Sequence, residues 1–457
     1  MTHAQLELIP LRQGVKSDDT TVMDVLVRIT APDISQELQR PLLNLALVID
    51  RSGSMQGEKI EYAREAASYA IKNLLAEDRV SVVAYDNRIL IPVPSRPVLD
   101  KAAILEKIQA IVPHGSTDVH GGWLAGAEQV ALHKQSARLN RVLLLSDGRT
   151  NTGQTNPDLI CEAVHEYSRQ GISTTTMGIG RDFNEDLLTS MARSGDANYY
   201  FIASPQDLPE IFQHELQGLA CTRGQQVTLH ITDHVSDDTS DDAPDNKQVD
   251  NPRVKVLELF NEFPREGERY RLPNLIVGLP LEVVVRLQIA PQQAAKPLCN
   301  FVVEWFDNEA QQTLRQEVPL QLSPFSSTVY TSLAVNEEVA KAVAILQAAR
   351  AREEAMRQLD QGQRRQAHET LMDLKHSLST AAFSASLHEE IADLDELSAS
   401  FEADDDNYSR KLLTSQVYDR RSGRSSRLKK AKDAQPQSEQ SDEENPSKDN
   451  PNEDAHA

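Results

Sequence analysis

The stretch Leu42-Leu43-Asn44-Leu45-Ala46-Leu47-Val48-Ile49 is apolar at every position but one, and that pattern fits few places in a fold. A strand with water on one face alternates apolar and polar residues, so a run like this belongs to a strand covered on both faces. The residues that follow have the helical period. Ile60, Ala63, Ala67, Ala70, Ile71 and Leu74 recur at spacings of three and four, which lays one apolar stripe along a helix at about 58–75. The alternation continues with strands at 80–85, 141–146, 172–179 and 198–202, and with helices at about 102–112, 122–133, 159–170, 185–192 and 205–218. Repeated β-α units predict an α/β domain with a doubly wound, mostly parallel sheet and helices on both faces.

After Cys221 the texture changes. Short strand-like runs at 226–232, 254–259, 281–289, 301–306 and 313–322 are separated by turn residues such as Asn251-Pro252, Pro264, Pro280 and Pro291, the pattern of an antiparallel β-sandwich. The runs at 5–11 and 21–30 alternate in the same way. The expectation is that they complete this sandwich and that the α/β domain is inserted into it. From 337 to 401 the chain reads as helical, with Val339, Val343, Leu346, Met356 and Leu359 on one face, a break at Gln361-Gly362-Gln363, and then Ala367, Leu371, Leu374 and Leu378. That predicts a small helical bundle. The division expected is therefore 1–37 for the first sandwich strands, 38–218 for the α/β domain, 219–332 for the rest of the sandwich, 333–402 for the bundle and 403–457 for a disordered charged tail.

Charge narrows the partners. Across 457 residues, 47 Lys and Arg stand against 69 Asp and Glu, a net −22 that repels phosphate backbones and anionic lipid. Nucleic acid is not an expected partner. Three cysteines without a Cys-x-x-Cys pair give neither a disulfide framework nor a zinc knuckle. Without an apolar leader at the start or an 18-residue apolar run, no membrane span is expected, and a cytoplasmic setting is the expectation. The tail is block-charged: 410–432 holds nine basic residues against Asp419, and 433–457 eight acidic residues against Lys448. It reads as solvating, or as a basic stripe for an acidic partner. The stretch 233–250, with seven Asp, reads as a mobile surface insertion, because the spacing of a calcium loop is absent.

The chemistry concentrates at strand ends. Asp50-Arg51-Ser52-Gly53-Ser54 closes the first buried strand, and alternate residues of an extended loop can aim Asp50, Ser52 and Ser54 at one point. Gly115-Ser116-Thr117-Asp118 precedes a helix, and Leu143-Leu144-Leu145-Ser146-Asp147-Gly148 ends another buried strand. In open α/β sheets, ligands sit outside the carboxyl ends of strands, where the strand order reverses. Hard oxygens with few formal charges suit Mg²⁺ or Mn²⁺.

This arrangement resembles the von Willebrand factor A family, whose metal-ion-dependent adhesion site follows the pattern Asp-x-Ser-x-Ser, then Thr, then Asp. The resemblance covers about 41–218 and includes Thr176-Met177-Gly178-Ile179-Gly180 and Asn198-Tyr199-Tyr200-Phe201. The longer chain also resembles bacterial proteins of the family in which a β-sandwich and a helical region follow. The resemblance implies metal ligands at Asp50, Ser52, Ser54, Thr117 and Asp147. Ser52 and Ser54 would bind directly, Thr117 directly or through water, and the two Asp largely through water. It further implies Mg²⁺, with Mn²⁺ or Ca²⁺ as alternatives, and a partner's Asp or Glu carboxylate at the open coordination position. Arg51, Gln56 and Asp118 would rim the site and select the partner.

The function expected is thus a divalent-cation-dependent protein-interaction module without enzymatic activity. The alternative is an adaptor for a MoxR- or chelatase-type AAA+ ATPase, from family habit. A third reading, a metal-dependent phosphotransfer enzyme, lacks its acid/base, because position 52 is Ser where a second Asp is needed. His114 and His120 flank Thr117 and read as loop and surface residues rather than zinc ligands.

Overall fold

The first strands of the chain belong to a different sheet from the strand that follows them. The computed structural model describes residues 4–32, 40–232, 253–381, 387–403 and 405–423. Strands β1 (Gln5–Pro10), β2 (Val15–Lys16) and β3 (Thr21–Thr30) come first, and the apolar run is β4 (Leu42–Asp50). The α/β domain continues with α1 (Glu58–Asn73), β5 (Arg79–Tyr85), β6 (Ile89–Pro97), α2 (Lys101–Gln109), α3 (Val119–Ala131) and β7 (Arg138–Ser146). It is completed by α4 (Pro157–Arg169), β8 (Ile172–Ile179), α5 (Glu185–Ser194), β9 (Tyr199–Ile202) and α6 (Leu208–Ala220).

The sheet runs β6-β5-β4-β7-β8-β9, parallel throughout except for β6. Successive side chains of a strand point to opposite faces, and β4 divides the domain into two layers that way. Leu43, Leu45, Leu47 and Ile49 pack with α1, α2 and α6, whereas Ala46 and Val48 pack with α3, α4 and α5. The expected α/β class is the class observed. Strand β6 is additional to the sequence reading. Its sequence, ILIPVPSRP, hides a strand behind prolines, which an edge strand tolerates because one side of its backbone needs no partner. Helix α3 lies unusually close to the sheet: a Cβ on Gly122 would fall 2.4 Å from the Tyr85 ring, and one on Gly126 2.4 Å from Val48. Those glycines allow α3, which follows the loop that carries Thr117, to pack this closely.

The second layer system is a sandwich. Strands β10 (Thr222–Thr232), β11 (Val254–Leu259), β12 (Arg265–Glu266), β13 (Arg269–Leu272), β14 (Leu275–Ile276), β15 (Leu281–Ile289), β16 (Pro297–Asp307), β17 (Gln312–Gln321) and β18 (Pro324–Phe325) follow α6. One sheet has the order β1-β3-β15-β11 and the other β12-β13-β10-β16-β17, with β14 on β10. Strands from both sides of the α/β domain thus share one core, around Val27, Val283, Phe301 and Trp305. The short β2 pairs in parallel with β18. The Asp-rich stretch 233–250 lies outside the described residues.

A short α7 (Ser327–Ser332) leads to α8 (Glu337–Asp360), α9 (Arg364–Thr380), α10 (His388–Glu402) and α11 (Asp406–Arg421). Helix α8 joins the sandwich through Val339 and Leu346, which pack with Leu26, Phe260 and Val284. Here the structure corrects the sequence reading: 406–421, assigned to a disordered tail, is a helix. Its basic residues are held by acidic residues of other elements. Lys411, fully buried, donates to Glu185 and to the carbonyl of Phe183 at 2.8 Å, and its ammonium lies 4.2 Å from the Phe183 ring centre. Arg410 meets Asp186 and Asp360, Arg420 meets Glu390 and Asp393, and Arg421 meets Glu262 and Glu353. Tyr408 packs its ring at a tilt against Phe201 of β9, and Tyr418 packs edge-on against Tyr199 of the same strand. This part of the basic block is therefore neutralised internally and covers a sheet edge, while 424–457 lie outside the described residues.

Candidate metal centre

Strands β4 and β7 are neighbours at the middle of the sheet, and their connections leave in opposite directions, to β5 and to β8. A crevice opens where that reversal occurs. Into it run the loops after Asp50 and after Ser146.

Asp50 forms the floor and is fully buried. Its Oδ1 accepts the Ser52 backbone N–H at 2.8 Å, and its Oδ2 accepts the Ser146 hydroxyl at 2.9 Å and the Tyr85 hydroxyl at 3.3 Å. Burial, with the Asp147 charge adding to it, pushes the Asp50 carboxyl up to about 6 against the pull of the Ser52 hydrogen bonds. The same burial, followed by the Asp50 charge, raises the Tyr85 phenol. Above the floor, Ser52 Oγ and Ser54 Oγ are 3.0 Å apart, and the Ser54 hydroxyl donates to Asp147 Oδ1 at 2.8 Å. The other oxygen of Asp147, Oδ2, accepts the Lys59 ammonium at 2.6 Å. Thr117 is held from the third loop: its N–H donates to Asn151 Oδ1 at 3.0 Å, and its carbonyl accepts the Asn151 N–H at 3.1 Å. A Cβ on Gly148 would stand 3.1 Å from Thr117 Oγ1 and 3.5 Å from Ser54 Oγ, so both hydroxyls converge over that glycine.

All five residues expected as metal ligands therefore meet in one cluster, three hydroxyls over two buried carboxylates. The donor set is hard oxygen throughout, so the cluster fits a small divalent cation. Among the described residues no three His, Cys, Asp or Glu side chains gather, so the hydroxyls are integral to the donor set.

The rim differs from expectation. Arg51 is only 9% exposed and pairs with buried Asp86 at 2.6 Å, and His114 Nδ1 lies 3.1 Å from the same carboxylate. Asp118 caps α3, accepting the Gly121 N–H at 2.8 Å. Gln56 alone of the three is exposed. His120 lies 6.0 Å from Trp123, centre to centre, and burial lowers its pKa. Lys59, Tyr85, Ser146 and Asn151 join the site from outside the expected set. Ser146 lies inside the Leu-Leu-Leu-Ser-Asp-Gly run that ends β7, whereas the others carry no local signal.

The family model described as von Willebrand factor type A domain matches residues 44–214. Residues 44–214 are a von Willebrand factor A domain. Protein sll0103 of Synechocystis is 32% identical over 178 residues, 39% of this chain and 42% of its own length. YfbK of Escherichia coli is 28% identical over 207 residues, 45% of this chain and 36% of its own. Human inter-alpha-trypsin inhibitor heavy chain H2 is 28% identical over 193 residues, 40% of this chain and 20% of its own. The match thus spans less than half of these relatives' lengths. Beyond the von Willebrand factor A domain, likeness extends to the fold of the larger chain. A von Willebrand factor type A protein from Catenulispora acidiphila superposes with a TM-score of 0.66 at 18% identity, covering 87% of this chain and 90% of its own. The ArnB paralog VWA2 from Sulfolobus acidocaldarius does so with 0.61 at 16%, covering 92% and 98%. No described helix is long and apolar enough to cross a membrane.

Proposed function

We propose that this protein is a divalent-cation-dependent interaction module that captures an acidic side chain of a partner protein at the crevice between β4 and β7. The observation that carries the reading is the chain of contacts from Asp50 through Ser52 and Ser54 to Asp147, with Thr117 across from them. Ser52, Ser54 and Thr117 would hold Mg²⁺ from one side, with Asp50 and Asp147 behind them. The cation supplies a positive centre that a partner's Asp or Glu can join. With neutral hydroxyls as its nearest ligands, the ion would keep positive charge at its open position, so an anionic ligand is favoured over a neutral one. Tyr85 and Ser146 fix the orientation of Asp50, and Asn151 fixes the backbone of Thr117.

The test pairs a metal measurement with a capture. Calorimetry with Mn²⁺ is expected to give one site in the wild type and none in Asp50→Ala. Immobilised wild-type protein should retain its partner from cell extract in Mg²⁺ and release it in EDTA, and Asp50→Ala should not retain it. Equal capture in Mg²⁺ and in EDTA would overturn the reading.

A further inference from the structure

Lys59 reaches into the oxygen cluster from the first turn of α1, and the reading above makes no use of it. Its ammonium stands 2.6 Å from Asp147 Oδ2; its side chain is 23% exposed while that of Asp147 is fully buried. Gly180, just past β8, borders the path of the side chain: a Cβ there would come within 3.5 Å of Lys59 Cε. Asp147 thus divides its oxygens, Oδ1 toward the Ser54 hydroxyl and Oδ2 toward Lys59.

The charge count gives the contact its meaning. Asp50, Asp147 and Lys59 sum to −1, so a divalent cation brings the site to +1; without Lys59 the same ion would bring it to zero. We propose that Lys59 is a built-in counter-cation that weakens the centre for a divalent ion alone and makes metal and an acidic side chain bind cooperatively. The inference rests on the metal-centre reading and deepens it. The metal competes with Lys59 for Asp147, and the surplus charge that results is relieved when a carboxylate arrives. Each ligand then raises the affinity for the other by the same factor. Lys59 is a positioning residue in this scheme, since it acts on the metal through Asp147.

The experiment is Mn²⁺ calorimetry on the full chain, in acetate and in chloride of equal ionic strength, for wild type, Lys59→Met and Lys59→Arg. Wild type should bind Mn²⁺ more tightly in acetate than in chloride. Lys59→Met should bind Mn²⁺ about tenfold more tightly in chloride, the size expected for removing one nearby like charge, and should lose the acetate enhancement. Lys59→Arg, which keeps the charge, should behave as wild type. Circular dichroism confirms that the variants fold. If wild type binds Mn²⁺ and folded Lys59→Met binds it no more tightly, the inference falls and the metal centre stands. If neither wild type nor any variant takes up Mn²⁺, the metal-centre reading falls and the inference with it.

Discussion

Two groups of buried carboxylates sit on the same α/β domain and are treated in opposite ways. Glu185, at the start of α5, is met by Lys411 and Arg410 from α11, so cations outnumber it at close range. Although burial pushes its pKa up, the Lys411 hydrogen bond and charge outweigh that and hold it below the usual carboxylate range. Asp50 has hydroxyl and N–H donors but no ammonium or guanidinium in contact, and its pKa goes up. The first group is complete as it stands and fastens one element to another. The second is short of positive charge, which the proposed cation would supply.

The largest effect should come from breaking the complete group. Lys411→Met leaves Glu185 buried without one of its two cations and is expected to cost about 3 kcal/mol or more, read as a fall in thermal midpoint. An unchanged midpoint would mean that α11 is not fastened as described. Acid should separate the groups next. In EDTA, Asp50 takes up its proton in the folded chain near pH 6, above the ordinary value of about 4, so the folded state binds more protons over that range. Stability should therefore rise by about 1.3 kcal/mol as pH falls from about 7 to 5 in denaturant titrations, and Asp50→Asn should remove the rise. Glu185 has the opposite sign. Its contribution is full above about pH 5 and is lost as pH falls through the carboxylate range, and Glu185→Gln should flatten that limb. A smaller change is expected from Gly148→Ala, whose methyl would crowd Thr117 and Ser54. It should weaken Mn²⁺ about tenfold with less than about 1 kcal/mol change in stability, by calorimetry and thermal melting. Arg365→Ala, in an exposed pair with Glu369 at 2.9 Å, should shift stability by under about 0.5 kcal/mol.

The parts of this molecule that could be read in advance are those whose signal is local. The period of β4 and α1 is written in adjacent residues, and so is the spacing of Asp50, Ser52 and Ser54; Thr117 and Asp147 are legible because each falls at an element's end. Helix α11 was not legible. Between Asp406 and Arg421 its apolar residues are few, and what orders it is charge on Glu185, Asp360, Glu390 and Glu353, each far away in sequence. Lys59 was hidden for a related reason. A lysine in a helix's first turn looks like any solvated side chain, and only the fold brings Asp147 to it. Strand β6 disappeared behind prolines that only an edge position explains.

The α/β domain is tethered to the sandwich at two points, and they land in different sheets. It is entered after β3, in one sheet, and left through Cys221 directly into β10, in the other. The crevice lies at the far end of β4 from Leu42, a strand length of roughly 30 Å at about 3.3 Å per residue. A pull on a partner held at the proposed site would therefore be carried down the domain and divided between the two sheets. Because β3 and β10 are both interior strands of their sheets, such a load would not fall on an edge strand.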